Sequence, residues 1–122
     1  MVALTEGLRR GYFLFSEANR TISREQVVVA QSVSLVAGTV MGIVTATGKW
    51  KQLAPAAADG TQNATGFLLE NVNATAADIS AAVVARQAEV TASDITWPGG
   101  ITAPQQAAAI AALGVLGLRV RN

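Results

Sequence analysis

VVVAQSVSLVAGTVMGIVTATGKW, residues 27–50, is the stretch that decides the fold. It is rich in Val, Ile and Thr, which pack well on the pleated surface of a sheet. Gly42 interrupts a strand-like run, as glycine does where a strand bends or another backbone comes close. Residues 45–48 predict a hairpin loop with Gly48 in the left-handed region and Trp50 half-buried on the returning strand. The stretch therefore predicts a sheet of short strands.

The remaining chain adds further short apolar segments. Residues 66–69 predict one strand, and residues 79–84 predict a buried strand that continues with partly alternating polarity through Glu89. Residues 77–88 are rich in Ala, which also favours helix, but Val83-Val84 and Val90-Thr91 favour strand. The fold is therefore expected to be mainly β.

One helix is predicted near the end of the chain. Thr102 and Gln105 have the spacing of a capping box. The expected packing face follows from a spacing of three and four residues. A glycine should end the helix, and an alternating terminal strand should follow. The packing face consists of Ala107, Ile110, Ala111 and Gly114, with Leu113 beside it; the candidate end residues are Gly114 and Gly117; the strand residues are Leu116, Leu118 and Val120.

Composition narrows the function. The chain has 122 residues, which fits one domain, and its 51% hydrophobic content includes only 5% aromatic residues. A net charge of +1 gives no footprint for nucleic acid. The most apolar stretch, residues 107–118, is shorter than the roughly 20 residues that a membrane span needs. We therefore expect no direct nucleic-acid partner and no membrane partner.

Catalytic chemistry is not indicated. The chain contains no Cys and no His, so it lacks thiolate ligands, the commonest metal ligand and the commonest general base. Its serines have no nucleophile-elbow motif. None of the carboxylates that could do acid–base work lies in a recognisable catalytic arrangement: Asp59, Glu70, Asp78, Glu89 and Asp94. Asp59 and Asp78 fit turns better, and Asp94 fits a loop. We expect no catalytic residue, no metal site and no cofactor.

Residues 1–25 have the composition of an arm that precedes a β-rich domain at residues 26–122. The arm has one apolar patch, formed by Tyr12, Phe13, Leu14 and Phe15. A strand-length patch of this kind can add to the sheet edge of another chain. It can equally be the first strand of the domain's own sheet. The sequence pattern leaves both interpretations open.

The order of several segments resembles the lambda-like phage head decoration protein family across residues 13–121. The segments that carry the resemblance are Leu14-Phe15-Ser16-Glu17-Ala18-Asn19, Ser23-Arg24-Glu25, Gly38-Thr39-Val40-Met41-Gly42, Asp59-Gly60 followed by Gly66-Phe67-Leu68, Arg86 with Glu89-Val90, and Trp97-Pro98 before the helix.

The resemblance implies a compact barrel-like or β-clip-like domain with one short helix and an extended N-terminal arm. It implies a homotrimer on the outer surface of an expanded capsid, with the major capsid protein as partner. The protein would stabilise the head against the pressure of packaged DNA. It would be present in the host cytoplasm during assembly and on the capsid surface in the virion. Capsid contacts would come from Tyr12, Phe13, Leu14, Phe15, Ser23, Arg24 and Glu25. From residue type alone, Trp50 and Trp97 are candidate anchors of the core or the oligomer, since tryptophan is enriched in both kinds of site.

Two other functions stay open at this level. A glycine-bounded hairpin that carries Lys49 could present an attachment lysine, as in a small carrier or ligand-binding module. A different virion component, such as a tail or spike protein, would share the same structural class.

Overall fold

The computed structural model describes residues 13–17 and 20–121, and it is mainly β with one long helix. Ten strands and two helices lie in this part of the chain, with a 3-10 turn at Ala92–Asp94. In chain order they are β1 (Leu14–Glu17), α1 (Arg20–Ser23), β2 (Arg24–Val29), β3 (Ser34–Leu35), β4 (Val40–Ile43), β5 (Trp50–Gln52), β6 (Gly66–Leu68), β7 (Val72–Asn73), β8 (Ile79–Val84), β9 (Ala88–Thr91), α2 (Ala103–Val115) and β10 (Leu118–Arg121).

Five strands close into a barrel in the order β2-β5-β4-β6-β8. β2 and β8 form its longest pair, which is antiparallel along the whole length of both strands. β2 meets β5 in parallel, with Val29 opposite Trp50, and this contact closes the barrel. The expected mainly β, barrel-like class is confirmed.

A three-stranded sheet lies beside the barrel, in the order β1-β9-β10. β1 runs antiparallel to β9, and β10 runs parallel to it. β3 and β7 form a separate two-stranded sheet. The predicted terminal strand is therefore present, and it lies at one edge of the three-stranded sheet.

Two barrel strands, β4 and β6, bury both of their faces. Along β6, Phe67 and Leu68 belong to two different core clusters, and both are fully buried. Neighbouring residues of a strand point to opposite faces, so one of these clusters lies on each side of the strand. The Leu68 cluster lies inside the barrel, and the Phe67 cluster lies between the barrel, the three-stranded sheet and α2. Such strands have nearly continuous apolar sequence.

The predicted hairpin is confirmed. β4 and β5 pair antiparallel with Ile43 opposite Trp50, and Gly48 in the intervening turn has φ 72°. Gly42 has the close backbone neighbour that its sequence position suggested, since a Cβ built there would lie 2.7 Å from the Thr61 Cα. The expectation for Trp50 was wrong in degree: it is 5% exposed rather than half-buried, because it lies inside the barrel.

The prediction that one strand runs from residue 79 through Glu89 was wrong. β8 ends at Val84, and β9 begins at Ala88 in the other sheet. Between them Gln87 has φ 54°, a left-handed conformation that turns the chain from one sheet to the next. The alternation continues across this turn, which is why sequence pattern alone could not detect it.

The capping box of α2 is confirmed. The Thr102 Oγ1 accepts a hydrogen bond from the Gln105 backbone N–H, and the Gln105 side chain accepts one from the Thr102 N–H at 2.9 Å. The chain turns at Gly117, which has φ 82°. The predicted packing face was wrong except for Leu113, which the prediction placed beside it. Ala109 and Leu113 are the buried residues of α2, because this largely apolar helix has more than one apolar stripe to offer the core.

Candidate functional site

The first strand belongs to the protein's own sheet. Phe13 is fully buried, and its ring centroid lies 5.7 Å from that of Phe67. The Phe13 carbonyl accepts a hydrogen bond from the Thr91 N–H at 2.9 Å, and Leu14 pairs with Val90 of β9. Of the two interpretations left open by the sequence, the structure therefore supports the second: β1 is the first strand of the domain's own sheet.

Only part of the predicted capsid-facing patch is within the described residues. Tyr12 lies outside the described residues. Phe15 belongs to β1, but its side chain is not among those described. Leu14 is half-buried and packs against the core. β2 spans Arg24–Val29, so the predicted boundary between residues 25 and 26 lies within this strand.

Ser23 and Arg24 join the two sheets. The Ser23 side chain is fully buried, and its hydroxyl donates a hydrogen bond to the Gln87 carbonyl at 3.0 Å. The Arg24 guanidinium donates to both carboxylate oxygens of Glu17, at 2.6 and 3.1 Å. This two-bond geometry is the strong form of an arginine–carboxylate pair. Both side chains thus connect β1 and the β8–β9 turn to the first barrel strand.

Glu25 is the exposed member of the triplet. Its carboxylate pairs with the Arg86 guanidinium at 2.9 Å, and both side chains are more than 40% exposed. Arg86 also donates to the Ile22 carbonyl. Exposed pairs of this kind contribute little to stability, so the charges remain accessible to a partner.

The two tryptophans have different settings. Trp50 packs inside the barrel against Gly66, where a Cβ would lie 3.1 Å from the Trp50 ring. Trp97 is half-buried and packs against the cluster between the barrel and the three-stranded sheet. Both therefore contact the core of their own chain.

The carboxylates with a shifted pKa have structural partners. A hydrogen bond from the Thr61 hydroxyl lowers the pKa of Asp59, and a hydrogen bond from Lys49 lowers the pKa of Asp78. The Asp78 carboxylate also accepts from the Gln31 N–H, so it ties two loops at one end of the barrel. Among the described residues, no three Asp or Glu side chains lie close enough together to hold a metal ion.

Lys49 takes part in this same loop contact. Its ammonium lies 2.6 Å from the Asp78 carboxylate, and both side chains are about 40% exposed. A lysine that carries a covalently attached group would have to leave this pair. The contact explains the basic residue of the hairpin without a carrier function.

A family model described as bacteriophage lambda head decoration protein D matches residues 3–118. The chain belongs to this family. The match covers almost the whole chain, from before β1 to the first residue of β10, and it confirms the resemblance found in the sequence. A search of curated proteins finds no match.

Membership of the head decoration family gives the protein a structural role at the phage capsid. The family acts at the head of the virion, which disfavours a tail or spike component and a carrier module. In the described part of the chain, no helix is long and apolar enough to cross a membrane.

The sequence missed the role of Gln87 and its neighbours. The Ser23 hydroxyl donates to the Gln87 carbonyl, and a Cβ built on Gly117 would lie 3.0 Å from the Gln87 side-chain nitrogen. The signal that could have found them is the glycine at 117, which marks a close approach as well as a helix end.

Proposed function

We propose that this decoration protein binds the outer surface of the expanded capsid as a homotrimer and stabilises the head against the pressure of packaged DNA. The match to the family along residues 3–118 carries this proposal. The partner is the major capsid protein, and the trimer attaches after it is made in the host cytoplasm. The mechanism requires no reaction and no cofactor.

The chain that precedes Phe13 is the proposed capsid-binding segment, with Tyr12 at its end. Support comes from the anchoring of the next residues: Phe13 is fully buried, and β1 lies at the edge of its sheet. The buried Phe13 would hold the C-terminal end of this segment at a defined point on the domain. Leu14 and Phe15 would continue the contact along the β1 edge, where a capsid strand can add to unpaired backbone groups.

The Ser23-Arg24-Glu25 triplet has two proposed parts. Ser23 and Arg24 hold β1 in position through their bonds to Gln87 and Glu17. Glu25, which is exposed beside Arg86, is the member that would contact the capsid directly.

Stabilisation follows from mass action. A protein that binds the expanded shell, and not the precursor or the ruptured shell, favours the expanded state. At a free concentration 100 times the Kd, each site contributes about 2.7 kcal/mol. Three arms on one trimer bind with avidity, since the second and third contacts are intramolecular. Many such sites together oppose the internal pressure.

Truncation tests the binding segment. Removing residues 1–12 leaves Phe13, β1 and the core in place, whereas a deletion through Glu25 would also remove a fully buried side chain and the start of β2. We expect the shorter deletion to abolish co-sedimentation with expanded heads while the thermal unfolding midpoint stays near that of the full chain. Undiminished binding of this variant would refute the role of the segment.

A further inference from the structure

β10 is an edge strand with a regular backbone. Its four residues, LRVR, contain no proline and pair in unbroken register with β9. Within residues 13–17 and 20–121, no strand lies on its other side. β1, at the opposite edge of the sheet, has a shift in register between Leu14 and Ser16. A regular edge presents evenly spaced backbone groups to which a further strand can add.

The backbone groups on the open side of β10 belong to Leu118 and Val120. The Gly117 carbonyl accepts a hydrogen bond from the Ala88 N–H at 3.2 Å, so this carbonyl points toward β9. Backbone groups alternate in direction along a strand, and those of residues 119 and 121 therefore point toward β9 as well. The N–H and C=O groups of Leu118 and Val120 point to the open side.

An apolar groove lies between this strand and α2. It has a volume of about 280 Å³ and is lined by Ile110 and Gly114 of α2 and by Leu118, Arg119 and Val120 of β10. No residue of β9 lines the groove, so it opens on the side of β10 away from β9. Ile110 is 38% exposed, and a Cβ built on Gly114 would meet nothing within 4 Å. A strand that adds to β10 would place alternate side chains in this groove.

The opposite face of β10 is basic. Arg119 and Arg121 are exposed and point away from the buried Leu118 side chain, because neighbouring side chains of a strand point to opposite faces. Arg119 lies opposite Glu89 in the register, yet Glu89 pairs with Arg121, at 3.4 Å. Among the described residues, Arg119 makes no ion pair. The second set of side chains of an added strand would therefore lie beside a cation that can pair with a carboxylate.

We propose that the β10 edge receives an extended segment of a second protein in which apolar and acidic residues alternate. The apolar residues of this segment lie in the groove between α2 and β10, and its acidic residues lie beside Arg119 and Arg121. This inference rests on the proposed function, under which the segment belongs to the major capsid protein. It adds a contact site at the edge of the sheet opposite to β1.

Charge selects this occupant over the other candidates. Residues 1–12 contain Arg9 and Arg10 and a single carboxylate, Glu6, so they complement a basic strand poorly. Two β10 strands side by side would place arginines near arginines, and like charges directly opposite in a sheet are destabilising. An acidic partner gains an ion pair with Arg119 instead. In strand addition the main-chain hydrogen bonds supply affinity, and the alternate side chains supply specificity.

Two pairs of variants test the edge. Val120→Pro removes an N–H that points to the open side, a position where an edge strand tolerates proline. Val120→Ala shortens the same side chain and keeps the N–H. Arg119→Glu reverses an exposed charge, and Arg119→Lys keeps it.

Co-sedimentation with expanded heads is the measurement. Val120→Pro and Arg119→Glu should each weaken binding about tenfold, because each leaves a polar group of the partner without its hydrogen bond or ion pair. Val120→Ala and Arg119→Lys should bind as tightly as the wild type. A lower thermal unfolding midpoint of Val120→Pro than of Val120→Ala would leave the decision to the Arg119 pair, which changes an exposed side chain alone.

The outcomes separate this inference from the proposed function. If the wild type binds expanded heads and the two members of either pair bind equally well, the β10 site is overturned and the capsid role stands. A wild type that binds no expanded heads overturns both.

Amide hydrogen exchange tests whether the edge is already occupied in the isolated protein. The Val120 N–H should exchange faster than the N–H groups of Arg119 and Arg121, which point toward β9, and it should become protected on decorated heads. Protection of the Val120 N–H in the isolated protein would mean that residues 1–12 or a second copy cover the edge, which overturns the inference. Exchange that stays fast on decorated heads overturns it as well.

Discussion

The barrel and the three-stranded sheet differ in whether their outermost strands are paired on both sides. The barrel closes β2 onto β5 and β8, so its strands have neighbours on both sides. Within residues 13–17 and 20–121, the sheet leaves β1 and β10 as edge strands. Closure removes the unpaired backbone groups that another chain could join, and an open sheet presents them. In this protein the closed part supplies stability, and the open part, with α2 beside it, supplies the surfaces proposed for binding.

The largest expected effect is the loss of the core that joins the two regions. Phe67 in β6 is fully buried and contacts Phe13 from the sheet. Phe67→Ala should lower the free energy of unfolding by about 3–5 kcal/mol, from lost burial and the cavity left behind. Urea denaturation measures this. Val33→Ala, at a position that is 52% exposed, should change it by less than about 0.5 kcal/mol. Equal effects of the two would contradict the described packing.

A second substitution tests how tightly the barrel is closed. Gly42→Ala would place a Cβ 2.7 Å from the Thr61 Cα, a contact with backbone that cannot relax by side-chain rotation. We expect a loss of about 1–3 kcal/mol, the usual cost of overpacking. Gly99→Ala is the control, since its Cβ would meet nothing within 4 Å. Urea midpoints that match for both variants would show that β4 does not approach Thr61.

The Arg24–Glu17 ion pair, which joins the sheet to the barrel, should contribute less to the free energy of unfolding than either core cluster does. Arg24→Met keeps the side-chain stem and removes both bonds to Glu17, whose side chain is 15% exposed. We expect a loss of about 1–2 kcal/mol, between the values for exposed ion pairs and for buried bonds to charged groups.

Amide hydrogen exchange gives the sharper readout for this link. In the Arg24→Met variant, exchange should rise in β1 more than in β8, since only the sheet loses its attachment. Arg121→Met is the comparison, because the Arg121–Glu89 pair is longer, at 3.4 Å, and more exposed. It should change stability by less than about 0.5 kcal/mol. A uniform rise in exchange across the barrel would contradict a local role for Arg24.

The smallest expected effect is on pH dependence. The hydrogen bond from Lys49 holds the pKa of Asp78 below its ordinary value. A depressed folded-state pKa gives stability that is present above the unfolded-state pKa and lost as the pH falls through the folded-state pKa. Stability should therefore decrease when the pH is lowered below about 4.

Asp78→Asn isolates this contribution. Denaturation from neutral to acidic pH should show a flatter profile for the variant than for the wild type, because the titrating group is absent. The same slope in both proteins would assign the acid sensitivity to other carboxylates, such as Asp59, whose pKa is also lowered.

Local features of the fold could be predicted from the sequence. The hairpin around Gly48 and the capping box of Thr102 depend on a few neighbouring residues, and both are present as expected. The candidate site was harder to predict. The order of segments in the chain points to Ser23 and Arg24, yet their side chains bond to Gln87 and Glu17, and no local signal identifies those partners.

The sequence by itself determined the β class, the capped helix and the family, since these follow from residue type, spacing and segment order. Only the tertiary structure determined which apolar side chains are buried in the core and which are exposed. It paired β1 with β9, so that Leu14 lies opposite Val90, and it turned Ala109 and Leu113 of α2 inward while Val115 stayed outside. Several arrangements bury similar apolar area, and contacts between residues far apart in the chain select one of them.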